Sequence, residues 1–200
     1  MKAPALISLF AATALAAGAA SAGNHGAAHD HGKVPDGQHG DKTAISLTSA
    51  SASFIDKDSK PVGTATLTES PHGVLIHLDL KGLPPGPKAI HIHSVGTCED
   101  PSEGFVASKG HLNPDGKEHG LMNPAGPDAG DLPNLYVRDD GTFEAEFFTT
   151  LASLAGADGR ATILDEDGAA LVIHINRDDH ITQPIGGAGA RIACGVIKAE

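Results

Sequence analysis

Residues 88–98 read KAIHIHSVGTC. Two histidines one residue apart stand inside an apolar run, and a cysteine follows the second by five positions. In an extended strand, residues two apart share a face. The stretch therefore predicts a strand with His91 and His93 side by side and Ile92 turned the other way, into a core. Paired imidazoles on one rigid strand are half of a metal site. Taken alone, two solvent-facing histidines explain the pair more simply, so the rest of the chain has to decide.

The flanking sequence has the same strand-like grain. TAISLTSASASFI, VGTATLTES, GVLIHLDLKG and PKAIHIHSVG precede Cys98, separated by turn residues. NLYVRDDGTFEAEFFTT, GRATILDEDGAALVIHIN and ARIACGVI follow later, with hairpins expected at Asp-Asp-Gly and Asp-Glu-Asp-Gly. With 6 Phe, 1 Tyr and no Trp among 200 residues, the core must be aliphatic. About eight strands, mostly antiparallel, imply an all-β sandwich or barrel. Between them, residues 99–133 show no periodicity and are rich in Gly, Pro, Asn and Asp. A loop of that length inside a compact domain is functional, or is held by something other than a core.

The formal charge of −11 argues against nucleic acid or an anionic membrane surface as a partner, because either needs a basic patch. Residues 1–22 read as an export signal: Lys2, an apolar Ala-rich stretch, then Ala20-Ser21-Ala22 ahead of a mature start at Gly23. No membrane attachment is expected after cleavage, and an uncleaved membrane anchor is the alternative reading. Residues 23–42 carry His25, His29, His31 and His39 among Gly, Ala and Asp, and are read as a disordered tail suited to metal capture. Residues 43–200 then form the folded domain. In an oxidising compartment Cys98 and Cys194 can pair, contributing on the order of 4 kcal/mol in the chain-entropy model. Two free buried thiols are the alternative.

Other chemistry-bearing residues accompany the first pair. His111 and His119 lie in the long loop with Asp128 and Asp131, and His174 falls in the alternating run ALVIHIN. Imidazole suits copper and zinc, and a mixed His/Asp set suits zinc. A metal would also order the loop. His72, His77 and His180 have plainer readings, as turn, strand-surface and loop residues.

HIHSVGTC, KGHLNPDGKEHG, AGDLPNLYV and GGAGARIACGVI together resemble the copper,zinc superoxide dismutase family in its bacterial periplasmic form. The likeness spans about residues 43–200. It implies an eight-stranded Greek-key β-barrel with long metal-binding loops, and disproportionation of superoxide to dioxygen and hydrogen peroxide by a redox-cycling copper beside a zinc. His91, His93, His111 and His174 match the copper ligands. His111 also matches the bridge to zinc and the proton donor. His119 and Asp131 match two zinc ligands, and Asp128 stands where the family has a third zinc histidine. Asp178 matches a carboxylate linking a copper imidazole to a zinc imidazole, here His91 and His119. Cys98–Cys194 matches the family's disulfide, and Arg191 the arginine at the open copper position, where it steers the anion. The oligomeric state is left open, a homodimer being one option. A noncatalytic periplasmic copper-binding or storage protein is the rival reading, and a structural adhesion sandwich leaves the matched polar positions unexplained.

Overall fold

The computed structural model describes residues 48–200. The expected export signal and the expected His-rich tail, with His25, His29, His31 and His39, lie outside the described residues. Eleven strands are present: β1 Ser49–Asp56, β2 Pro61–Ser70, β3 Gly73–Leu80, β4 Gly86–Lys88, β5 Ile90–His93, β6 Leu135–Val137, β7 Phe143–Thr149, β8 Ala152–Ser153, β9 Ala161–Thr162, β10 Ala170–His174 and β11 Arg191–Ala199. Seven of them form one antiparallel sheet in the order β5-β10-β11-β1-β2-β3-β7. β4, directly before β5, pairs with β6, directly before β7, so segments leading into the two edge strands meet and the sheet curls on itself. The fold is the expected all-β barrel. β4 and β5 are two halves of the single strand expected over PKAIHIHSVG. They part at Ala89, whose N–H donates to Asn176 and whose carbonyl accepts from His174. β8 and β9 add a two-residue parallel pair.

Alternation builds the core. Ala52, Phe54, Leu67, Ile76, Leu78, Ile90, Ile92, Leu171, Ile173 and Ala193 point inward. Both expected hairpins are corrected. A turn does form at Asp139–Gly141, with the Arg138 N–H on Thr142 O, but β6 pairs with β4 and β7 with β3. The Asp165–Gly168 turn also forms, yet β9 pairs with β8, and β10 lies between β5 and β11. Turn chemistry is local, whereas strand partners are chosen by which apolar faces must be buried together.

The outer face of β5, β10 and β11 positions the site. His91 is in register with Val172, His93 with Ala170, and His174 with Arg191 after a bulge at Ile173/His174. Residues 99–133 cover this face. The loop has a small core of its own, in which Phe105, fully buried, packs with Ala170, Val172 and Cys194. Cys98 and Cys194 are disulfide-bonded with Cα atoms 5.8 Å apart, and no free cysteine remains among the described residues. The loop is thus ordered by protein contacts as well as by any metal.

Candidate metal centre

β5 is an edge strand, and the long loop satisfies its free edge. Leu112 N–H donates to Ile92 O, Ile92 N–H to Gly130 O and Ser94 N–H to Gly110 O. These bonds make two isolated bridges, His93 to His111 and His91 to Asp131. The backbone of one strand therefore brings together four of the chemistry-bearing residues. Gly130 is required there, because a Cβ would lie 2.3 Å from Ile92 O.

His91, His93, His111 and His174 each place a ligand atom within 4.8 Å of the others. The hydrogen bonds fix how each ring is turned, since carbonyl and carboxylate oxygens only accept. His93 Nδ1 donates to Lys109 O at 2.8 Å, His174 Nδ1 to Gly189 O at 2.9 Å and His91 Nε2 to Asp178 Oδ2 at 2.9 Å. The opposite nitrogens, His91 Nδ1, His93 Nε2, His174 Nε2 and also His111 Nε2, are buried without a partner. Each unsatisfied buried group costs about 1–3 kcal/mol, and a metal accepting four imidazole lone pairs removes the cost. Burial keeps these lone pairs available. Desolvation, outweighing the Asp178 hydrogen bond, pushes His91 down to about 4; it takes His174 to about 3, helped by His91, and holds His93 well below its ordinary range. The chemistry fits copper.

A second group lies against the first: His91, His111, His119 and Asp131 also place ligand atoms within 4.8 Å of one another. His91 Nδ1 is already aimed at the first group and its Nε2 is on Asp178, so Asp128 is the better fourth member. Asp128 Oδ2 lies 2.9 Å from His111 Nδ1 and 3.9 Å from His119 Nδ1; Asp131 Oδ1 lies 3.6 Å and 2.6 Å from the same atoms. These four separations bracket the edge of about 3.3 Å expected for a tetrahedron with zinc bonds of about 2.0 Å. The close His119–Asp131 contact lacks hydrogen-bond direction, leaving both atoms orphaned. Two electron-pair donors face a common point. Asp131 Oδ2 is held by the N–H groups of Gly120 and Asp128. Desolvation opposes charge on His119, but Asp131 and Asp178 overcome it and raise the ring to about 10. His111 is raised in the same way against desolvation, by Asp128 and Asp131.

Asp178, fully buried, joins the groups: Oδ2 accepts from His91, and Oδ1 accepts from His119 Nε2 at 3.1 Å. Its pKa lies far below the carboxylate range; desolvation pulls upward and is overcome by His119 and His91. Several partners of this arrangement were not singled out in the sequence. Asn134 Oδ1 accepts the Asp178 N–H and Asn134 Nδ2 donates to Asp178 O, both at 2.8 Å. His180, read as a plain loop residue, donates its N–H to Asp178 Oδ1 at 2.6 Å and sets its ring against Asn134. Gln183 holds the His119 backbone. Only the Asn in AGDLPN and the two-residue spacing from Asp178 to His180 hinted at any of these. His72 is an exposed turn residue, and His77 sits on β3 facing Glu144 at 3.8 Å.

The first group opens into a cavity of about 350 Å³ lined by His93, His111, His174, Lys117 and Arg191. Arg191 therefore shares the mouth with a second cation, Lys117, which the sequence did not point to. Arg191 is also a tether: Nη1 donates to Phe105 O and Nη2 to Lys109 O, each at 2.6 Å. Phe105 and Lys109 both have positive φ, 55° and 63°, Phe105 in the left-handed helical region.

The model of the copper/zinc superoxide dismutase family matches residues 61–197. The chain is 51% identical over 151 residues to a Cu-Zn superoxide dismutase of Caulobacter vibrioides, covering 75% of this chain and 86% of that one. It is 45% identical to Cu-Zn superoxide dismutase 2 of Aquifex aeolicus, covering 74% and 86%. The crystal structure of a superoxide dismutase-like protein from Bacillus subtilis superposes with a TM-score of 0.69 at 39% identity, covering 73% of this chain and 96% of that one. With the fold, two converging donor groups and most of the domain matched, the chain belongs to the copper/zinc superoxide dismutase family.

Proposed function

We propose that copper is held by His91, His93, His111 and His174 and zinc by His111, His119, Asp128 and Asp131, serving the family's reaction, disproportionation of superoxide to dioxygen and hydrogen peroxide. The observation that carries the assignment is the set of orphaned buried nitrogens converging on one point beside a second His/Asp group. Copper held there would supply a one-electron redox couple able to oxidise one superoxide to dioxygen and reduce a second, with two protons, to hydrogen peroxide. The chain's own residues do the rest. His111 reaches the first group with Nε2 and the second with Nδ1, so with Nε2 unligated the ring would stay held through Nδ1 and could carry a proton at Nε2 beside the substrate. Asp178 keeps His91 and His119 turned so that Nδ1 of each faces its metal. Arg191 and Lys117 supply a local positive field that draws a small anion into an otherwise acidic protein. A noncatalytic copper store would have no use for these mouth cations, which weighs against that reading. The test is copper and zinc content together with superoxide-dependent dye reduction on purified protein. Two metals per chain with fast dye protection are expected, and copper-loaded protein without activity would overturn the enzyme reading.

The organisation we infer is an exported chain: signal at residues 1–22, His-rich tail at 23–42 and barrel domain at 43–200, placed in the periplasm. The signal-like composition supports it, as does a disulfide of the kind oxidising compartments permit. N-terminal sequencing of protein from the envelope fraction should begin at Gly23. An intact Met1 there would refute cleavage.

A further inference from the structure

Among the residues of the two donor groups, His119 and Asp128 take no β-pairing, and Asp128 is held within its own turn, its N–H on Asp131 Oδ2 and its carbonyl on the Asp131 N–H. His91, His93 and His174 lie in strands, and His111 and Asp131 are bridged to β5. The main chain of His119 is held instead by one side chain from the loop between β10 and β11. Gln183 Oε1 accepts the His119 N–H at 3.0 Å, and Gln183 Nε2 donates to His119 O at 2.8 Å and to Ile181 O at 3.1 Å. Asn123 Nδ2 also donates to His119 O, at 3.0 Å, from within the histidine's own loop. The β10–β11 loop thus grips His119 at both ends, with Gln183 on the backbone and Asp178 on ring Nε2. Two rotations remain open to a loop histidine, that of its backbone in space and that of its ring, and these two contacts stop one each.

We propose that Gln183 is a positioning residue for the second metal, aiming His119 Nδ1 before the metal arrives. The inference rests on the zinc assignment above and names what makes that site retain its ion. A primary amide suits the task because it presents an acceptor and a donor at one reach; a carboxylate offers acceptors only, and a thioether offers at most a weak acceptor. Residues that orient metal ligands typically contribute about 10–100-fold to metal affinity. Gln183→Met keeps the length of the side chain and removes both hydrogen bonds. Gln183→Glu keeps the acceptor for the His119 N–H but sets an anionic oxygen against His119 O.

Cobalt(II), loaded in place of zinc into copper-containing full-length protein, is the probe. Its release to a chelator and its visible d–d bands are recorded together with the copper electron paramagnetic spectrum and the melting temperature of metal-free protein. Gln183→Met should release cobalt about 10–100-fold faster with altered d–d bands, and Gln183→Glu should fall between it and wild type. The copper spectrum and metal-free melting should stay as in wild type. Unchanged cobalt release in Gln183→Met overturns the proposal while leaving the zinc assignment intact. Parallel loss of copper and of metal-free stability overturns it as well, by showing a general structural role. Wild-type protein that takes up no tetrahedral cobalt overturns the zinc assignment, and this proposal with it.

Discussion

By the resemblance, Asp128 is the one residue of the proposed centre that departs from the family's pattern, and as a ligand it would keep the site's geometry while changing its charge. A carboxylate oxygen and an imidazole Nδ1 are both bonded to Cγ, so Asp128 places a donor near the position a histidine would reach. Its Oδ2 stands 2.9 Å from His111 Nδ1. Asp128→Ala should bring bound zinc from near-stoichiometric to well below it while copper stays; metal analysis after zinc-replete purification decides it, and full zinc retention would remove Asp128 from the ligand set. At the mouth, Arg191 is an imperfect probe of steering because it also holds Phe105 and Lys109, and the Lys109 carbonyl in turn orients His93. Arg191→Glu should therefore slow turnover and loosen the loop together. Lys117, exposed and braced only by reciprocal bonds with Asn113, isolates the field. Lys117→Glu should lower kcat/KM several-fold at low ionic strength, the deficit shrinking as salt screens it. A rate and salt dependence equal to wild type would show that Lys117 does not steer.

At the scale of elements, two loops do what strands cannot. The 99–133 loop is pinned by a disulfide, a buried phenylalanine and bridges to the edge of β5. The β10–β11 loop carries Asp178 and closes on it at Gly186, whose φ is 61°. A Cβ there would lie 1.6 Å from Asp178 Oδ1 and 3.0 Å from His119 Nε2. Gly186→Ala should cost about 1–3 kcal/mol in backbone strain alone and displace the carboxylate that joins His91 to His119. Calorimetry together with metal content reads both effects, and an unshifted melting temperature with full metal would contradict this packing. Residues 23–42, proposed above as a His-rich tail, carry a proposed task of their own. Deleting residues 23–41 should leave the specific activity of fully loaded protein unchanged and slow reconstitution at limiting copper or zinc. Equal reconstitution rates would reduce the tail to a spacer.

For the whole molecule, the two donor groups pull proton affinity in opposite directions, so the metal-free protein should be most stable near pH 6.5. Below that, the unfolded chain protonates His91 and His174, while the folded chain resists down to about 4 and 3, so stability falls with pH. Above it, His119, raised to about 10, stays charged when folded after the unfolded imidazole has lost its proton at about 6.5. Its stabilising contribution, complete below 6.5, therefore fades as pH rises through about 10. A metal on His119 displaces that proton. Loaded protein should then lose the alkaline decline, and zinc uptake should release protons and tighten as pH rises. Melting temperatures of metal-free and loaded protein between pH 5 and pH 10 test this; a flat metal-free profile above pH 7 would show that His119 is not held by Asp131 and Asp178.

What the sequence determined by itself was whatever depends on spacing along one segment. Period-two alternation placed His91 and His93 on one face and Ile92 in the core, and the grain of Val, Ile and Thr runs made the protein all-β. The motif HLNPDGKEHG set His111 and His119 eight residues apart in a loop long enough to reach back to a strand. Partners distant in sequence were decided only by the tertiary structure. β6 and β7 leave a well-formed turn for different neighbours, because burial of the two sheet faces outweighs the turn. Lys117 became a mouth residue through the path of its loop, and Gln183 and Asn134 became supports through hydrogen bonds across tens of residues. An isolated Lys, Gln or Asn in a polar loop has no periodicity to mark it, since its partner is a backbone group that any sequence can supply. The same holds for the orphaned nitrogens. Histidine spacing marks the imidazoles as candidates to gather, but which nitrogen of each ring is left without a partner depends on the carbonyls and the carboxylate that the fold brings to the other.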